Sequence, residues 1–269
     1  MNKKLGFIGA GKMANSIMNG IFNSKLFNNF SFFDVNEKTV EQIKTKYNAT
    51  FYNSIQEVVK NSDIIMICTK PFIINEVLEE IKSEINNEKL IISIAAGVSS
   101  KKIETALNTK AKVIRVMPNT PALINEGISG LCKGAYANEE DLTLAKNIMQ
   151  SVGEAIVVEE SKIDVVTALS GSGPAFYYYI INEFAKSAQN LGLDYETALK
   201  LSTQTAIGAG KMILNGLENN ISVEKLIENV TTKGGCTEVG NKVLASSDIK
   251  DVLDKTIIDT MEKAAGLGA

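Results

Sequence analysis

Short, almost uninterrupted runs of branched and aromatic apolar residues recur through the first 158 positions of this 269-residue chain, and none follows. They fall at residues 5–8, 30–33, 64–68, 90–94, 113–116 and 153–158. Continuous apolar runs, as opposed to alternating ones, mark strands buried on both faces, as in a parallel sheet covered by helices. Helical patterns fill the gaps, from about residue 12 to 23 and again through Val40 and Ile43. Strands alternating with helices give βαβ units, so the expected fold is an α/β Rossmann-type domain with a mostly parallel, doubly wound sheet.

Past Glu160 the punctuation becomes that of helices. Gly192 reads as a helix stop, Asp194 as the next N-cap, Gly216 as another stop and Ser222 as a further N-cap. An all-α domain is expected over residues 159–269, closely packed with a dinucleotide-binding domain over 1–158. Its helices are small and apolar on more than one face, as at Ala206, Ile207, Gly208, Ala209, Met212 and Ile213. A second subunit is a natural cover for such surface.

Composition narrows the partners. A net charge of −3 offers no basic excess for nucleic acid or an anionic membrane, which leaves small molecules. No apolar run approaches the roughly 18–20 residues of a membrane span, and the four residues before Leu5 are too short for a signal peptide, so a cytoplasmic protein is expected. Three unpaired cysteines (Cys68, Cys132, Cys236) and no histidine argue against a disulfide framework or a metal site.

The first run leads into Ile8, Gly9, Ala10, Gly11, Lys12 and Met13, and a helix opens there. In that setting the glycines let backbone N–H groups approach a pyrophosphate at the helix N-terminus. Asp34 closes the next strand, where a carboxylate accepts hydrogen bonds from the adenosine ribose and repels a 2′-phosphate, so NADH is favoured over NADPH. An ordinary turn and a solvated strand-end charge are the plain alternatives. Ligands in such sheets lie beyond the carboxyl ends of the strands, which singles out Cys68, Thr69, Lys70 and Pro71, then Ala95, Ala96 and Gly97. Lys70 either donates to a ligand or is a surface lysine before a turn.

Residues 117–122 hold two of the four prolines and form a rigid turn on the same side, placed to shape a nicotinamide pocket. The cluster at 170–174 is either a helix start or a close backbone crossing against the sheet. Near the other end, Thr232, Lys233, Gly234, Gly235, Cys236 and Thr237 precede a helix, and their backbone N–H groups make either a second anion site or a plain capping turn. Cys236 lacks a histidine base and is discounted as a nucleophile.

These runs, in this order, resemble the Δ1-pyrroline-5-carboxylate reductase family, which reduces a cyclic imine in proline biosynthesis. The resemblance rests on residues 9–13, 70–71, 94–97, 113–123, 168–175 and 234–237 and covers essentially the whole chain. It implies an all-α dimerisation domain interlocked in a homodimer, often within a ring of dimers. It also implies cofactor contacts from residues 9–13, Asn53, residues 68–71 and 95–97, and Asn229. Substrate contacts would come from Glu160, Thr167, Thr232, Gly235, Cys236 and Thr237, with Thr237 and Lys70 as catalytic candidates. The family often has a proline where Lys233 stands and accepts NADPH more commonly, which Asp34 opposes. A hydroxyacid dehydrogenase, for which Lys211 and Lys233 are the only suitable lysines, and a non-catalytic dinucleotide sensor are the competing readings.

Overall fold

The computed structural model describes residues 3–27, 29–47 and 49–268. In chain order its principal elements are β1 (Leu5–Ile8), α1 (Lys12–Ser24), β2 (Phe30–Phe33), α2 (Glu37–Tyr47), β3 (Thr50–Phe51), α3 (Ile55–Lys60), β4 (Ile64–Ile67), α4 (Ile74–Ile81), β5 (Leu90–Ser93), α5 (Ser100–Leu107), β6 (Lys112–Met117), β7 (Gly127–Lys133), α6 (Glu139–Gln150) and β8 (Gly153–Val157). They are followed by α7 (Ile163–Val166), α8 (Gly173–Asn190), α9 (Tyr195–Glu218), α10 (Val223–Val230), α11 (Cys236–Ser246) and α12 (Ile249–Ala265). The strands form one sheet in the order β3-β2-β1-β4-β5-β6-β7-β8. Its neighbours are parallel throughout except β6 with β7.

Burial on both faces explains the uninterrupted strands. Phe7, Phe32, Met66, Ile92 and Val116 point to the face covered by α1 and α6, packing with Ile17, Met18 and Ile148. Their neighbours Ile8, Ile65, Ile67, Ile91 and Val113 point to the face covered by α3, α4 and α5, with Val58, Leu78 and Ile103. Each fully buried side chain of this size contributes about 1.5–3 kcal/mol.

Two strands escaped the sequence pattern. β3 is only two residues long. β7 carries glycines at 127 and 130, and Gly130 is required by packing: a Cβ there would lie 2.7 Å from Val166 Cγ1. The expected helix stop at Gly216 is also corrected, since α9 continues to Glu218. Gly216 is instead where the chain folds back, its carbonyl accepting the Ile221 N–H at 2.8 Å. Gly192, Asp194 and Ser222 do act as expected: Gly192 takes φ +97° just after α8, and the two side chains accept from Thr197 N and Lys225 N.

By internal contacts the chain forms two compact units, one running to Pro174 and taking in the segment from Ile257, the other Ala175–Thr256. The first extends past the last strand because α7 lies on the sheet, with Val166 over Gly130. In the second unit α8 and α9 are joined by the Tyr195 hydroxyl donating to Asn182 Oδ1 at 2.8 Å and by Ser202 donating to the Ile181 carbonyl. Large apolar side chains stay exposed on this unit, including Tyr179 (68%), Leu217 (69%) and Val230 (66%). Among the described residues no helix is long and apolar enough to cross a membrane.

Candidate active site

The sheet order sets β1 between β2 on one flank and β4, β5 and β6 on the other, so the turns after these strands share one rim. After β1, Gly9 adopts φ +87°, a conformation open to glycine but strained for other residues. Its N–H donates to the Phe33 carbonyl at 2.9 Å, and a Cβ would come within 3.2 Å of the Cys68 carbonyl. Gly11 is the N-cap of α1, with no capping side chain and no acid in the first turn. The first helical bond runs from Asn15 N to Gly11 O, which leaves the N–H groups of Lys12, Met13 and Ala14 without an intrahelical partner. Nothing lies within 4 Å of where a Gly11 Cβ would sit. This is an open helix N-terminus suited to a diphosphate.

Asp34 is tied to that loop. Its Oδ2 accepts the Ala10 N–H at 2.6 Å and its Oδ1 accepts the Asn36 N–H at 2.8 Å. Asn36 in turn caps the start of α2, its Oδ1 accepting the Thr39 N–H at 3.0 Å. The carboxylate is thereby held at the β2 flank of the glycine turn, with lone pairs left for ribose hydroxyls.

On the other flank lies a cleft of about 650 Å³, walled by Gly11–Met13, Cys68–Pro71, Ala96 and the Met117–Pro118 turn. The sequence placed these segments correctly at one rim but gave no role to Ile94 and Leu123, which also line it. Leu123 sits in the short 3-10 turn that follows Asn119, and nothing in its local pattern marks it. Thr69 Oγ1 is buried in this wall without a hydrogen-bond partner. An open helix start, a carboxylate on one flank and a cleft on the other fit a dinucleotide laid across β1, with its nicotinamide toward β4–β6. Lys70 is exposed at the cleft, at the start of the turn from Pro71. Burial pushes the Cys68 thiol far up and the Cys132 thiol up to about 12, so both stay neutral.

The other expected residues divide differently. Ile8, Ala10 and Ala95 are buried and offer backbone only, whereas Gly97 takes φ +75° in the turn after β5. Asn53 is exposed just after β3, its N–H donating to Glu57 Oε2 at 3.0 Å, beyond β2 and away from the cleft. Glu160 is engaged inside the sheet unit, with Oε1 accepting the Ser100 N–H at 2.6 Å and Oε2 the Ser100 hydroxyl. The Thr167 hydroxyl is buried and donates to the Ile163 carbonyl at 2.8 Å.

Asn229, Thr232, Gly235, Cys236 and Thr237 belong to the helical unit. Gly234 takes φ +76°, and the Gly235 N–H closes the turn on the Thr232 carbonyl at 2.9 Å. Gly235 is an extended N-cap without a capping side chain. The first helical bond of α11 is from Val239 N to Gly235 O, so the N–H groups of Cys236 and Thr237 point out of the helix start. Glu238 reaches back to the Gly234 N–H at 2.6 Å and pairs with Lys242 at 3.0 Å. Those contacts, the N–H first, hold its carboxyl below the usual range. The turn can bind one anionic group through exposed backbone donors, with hydroxyls of Thr232 and Thr237 beside them.

The family model described as pyrroline-5-carboxylate reductase dimerisation matches residues 160–267, and one described as NADP oxidoreductase coenzyme F420-dependent matches residues 4–97. A pyrroline-5-carboxylate reductase of Methanosarcina acetivorans is 38% identical over 269 residues, 99% of this chain and 98% of that one. The solved pyrroline-5-carboxylate reductase of Coxiella burnetii superposes with a TM-score of 0.93 at 32% identity, covering 100% of both chains. That of Plasmodium falciparum, with NADP bound, gives 0.87 at 30% identity over 100% of this chain and 99% of its own.

Proposed function

This chain belongs to the pyrroline-5-carboxylate reductase family and reduces Δ1-pyrroline-5-carboxylate to proline with a nicotinamide cofactor; we propose here which residues do it. The cofactor supplies the hydride. The N–H groups at the start of α1 hold its diphosphate, and the cleft between Cys68–Pro71 and Met117–Pro118 receives the nicotinamide end, with Lys70 at its mouth. The substrate carboxylate is held by the backbone N–H groups of Cys236 and Thr237. The Thr237 hydroxyl lies beside the ring nitrogen and donates to the lone pair that develops there as hydride arrives at the neighbouring carbon. A cyclic imine enters already protonated, so a site without histidine needs no strong general acid; orientation and the anchored carboxylate carry the catalysis.

Asp34 selects NADH. The observation that carries this is its 2.6 Å bond from the Ala10 N–H, which fixes a carboxylate beside the glycine turn where the adenosine ribose arrives. The chain forms homo-oligomers through its dimerisation domain. A homodimer whose helical units cover each other's exposed apolar faces is part of this reading, as are a further ring of dimers and a cytoplasmic location, with which three free thiols agree. Oxidation of NADH and of NADPH, each compared with pyrroline-5-carboxylate, a 2-keto acid and no substrate, tests the reading directly. Turnover of the keto acid alone would replace it.

A further inference from the structure

Among 28 cationic residues the chain has a single arginine, Arg115, and every other is lysine. That one guanidinium is buried, 4% exposed, in the middle of β6. Its Nη2 lies 2.8 Å from Asp164 Oδ1 and its Nη1 lies 3.8 Å from Glu160 Oε1. A planar fork faces two carboxylates at once, which the point charge of a lysine ammonium does not do.

The two carboxylates lead to the walls of the nicotinamide end of the cleft. Glu160 takes the Ser100 N–H and hydroxyl, and so fixes the first turn of α5. That turn follows directly on Ala95–Gly97, whose Ala96 lines the cleft. Asp164 starts the segment that runs through Gly171, and Gly171 lies against Met117: a Cβ there would sit 2.3 Å from Met117 Cε. Met117 is itself a cleft residue, two positions beyond Arg115 on the same strand. One side chain thus joins β6, the start of α5 and the 160–171 segment.

We propose that Arg115 is a positioning residue for hydride transfer, with Glu160 and Asp164 as its two arms, setting the spacing of the cleft walls that orient the nicotinamide. Glu160 on this account works within the wall instead of touching substrate. The inference rests on the placement of the cofactor argued above. Its chemistry predicts a split between the two halves of the dinucleotide, because Arg115 lies on the nicotinamide side and the glycine turn does not depend on it.

The test is Arg115→Lys, which keeps the charge and loses the fork, with affinities for NADH and for ADP-ribose measured by calorimetry beside kcat and thermal stability. Misplacing a reacting group by up to about 1 Å lowers kcat by about ten- to a hundredfold, while ADP-ribose, which lacks nicotinamide, should bind as to wild type. A variant that melts earlier but keeps wild-type kcat and NADH affinity would reduce Arg115 to a stabilising role and overturn the proposal. Equal losses for NADH and ADP-ribose would overturn it too, since the whole domain would then have moved. If Arg115→Lys does not fold, Ser100→Ala and Asp164→Asn each weaken one arm, and the same split between kcat and ADP-ribose affinity is expected; wild-type kcat in both is the refuting result. Failure of ADP-ribose to bind wild-type enzyme would instead overturn the cofactor placement, and the proposal with it.

Discussion

Replacing Asp34 by serine separates a structural job from a proposed one. Its carboxylate accepts the Ala10 and Asn36 N–H groups at 2.6 and 2.8 Å, and on the proposed cofactor placement it also meets the adenosine ribose. A carboxylate and one charge of a 2′-phosphate about 5 Å apart repel by about 3 kcal/mol at an effective dielectric near 20. Solvent and salt at this partly exposed rim reduce that to about 1.4–2.7 kcal/mol, a tenfold to hundredfold preference in kcat/KM. Asp34→Ser should shift the NADH-to-NADPH ratio by that factor. It should also lower kcat/KM for NADH in absolute terms, because the Ala10 N–H loses a charged acceptor and the glycine turn loosens. Asp34→Asn is the informative control: it keeps the shape but turns an N–H₂ toward one of the two backbone donors, and an unpaired donor costs about 1–3 kcal/mol. It should therefore weaken both cofactors without matching the serine variant's gain for NADPH. Steady-state kinetics with both cofactors at fixed ionic strength reads all of this. A native preference for NADPH of tenfold or more, about 1.4 kcal/mol, would refute the role given to Asp34.

Thr237→Ala keeps the backbone N–H and removes the hydroxyl, so kcat should fall by about ten- to a hundredfold with cofactor affinity unchanged; an unaltered kcat takes Thr237 out of the mechanism. Leu217, 69% exposed on α9, should lie in the subunit interface, so Leu217→Glu should lower the mass by light scattering and abolish activity together; active enzyme of one-chain mass would contradict the dimer. Burial raises the Cys68 and Cys132 thiols, the latter to about 12, so the reactive thiolate forms are absent at pH 8. Both should resist alkylation in folded enzyme; rapid labelling of Cys132, buried in β7, would show that the sheet interior opens.

The fold was legible where burial dictates the pattern on its own. Residues 64–67 and 90–92 are apolar at every position because helices cover both faces, and that pattern shows in the sequence alone. β7 was hidden because what fixes it is long-range: Gly130 makes room for Val166, and the antiparallel partner β6 lies across the 3-10 turn at residues 120–124. The glycine turn, Asp34 and the 68–71 rim could be read because strand, turn and helix follow each other locally. The pairing of Arg115 with Asp164 spans 49 positions and leaves no local trace, and the Ser100 contacts of Glu160 are equally invisible. The resemblance sets Glu160 beside the substrate; in the fold it accepts from the Ser100 N–H and hydroxyl.

On the proposed reading, two backbone anion cradles, one at the start of α1 and one at the start of α11, serve a single imine reduction. The most direct measurement is NADH oxidation by purified enzyme with pyrroline-5-carboxylate, repeated with the same ring lacking its carboxylate. Turnover of the first should be rapid, and the second should lose about 2–4 kcal/mol in kcat/KM with the charged hydrogen bonds at Cys236 and Thr237. Equal turnover of both substrates would show that the turn before α11 does not hold the carboxylate.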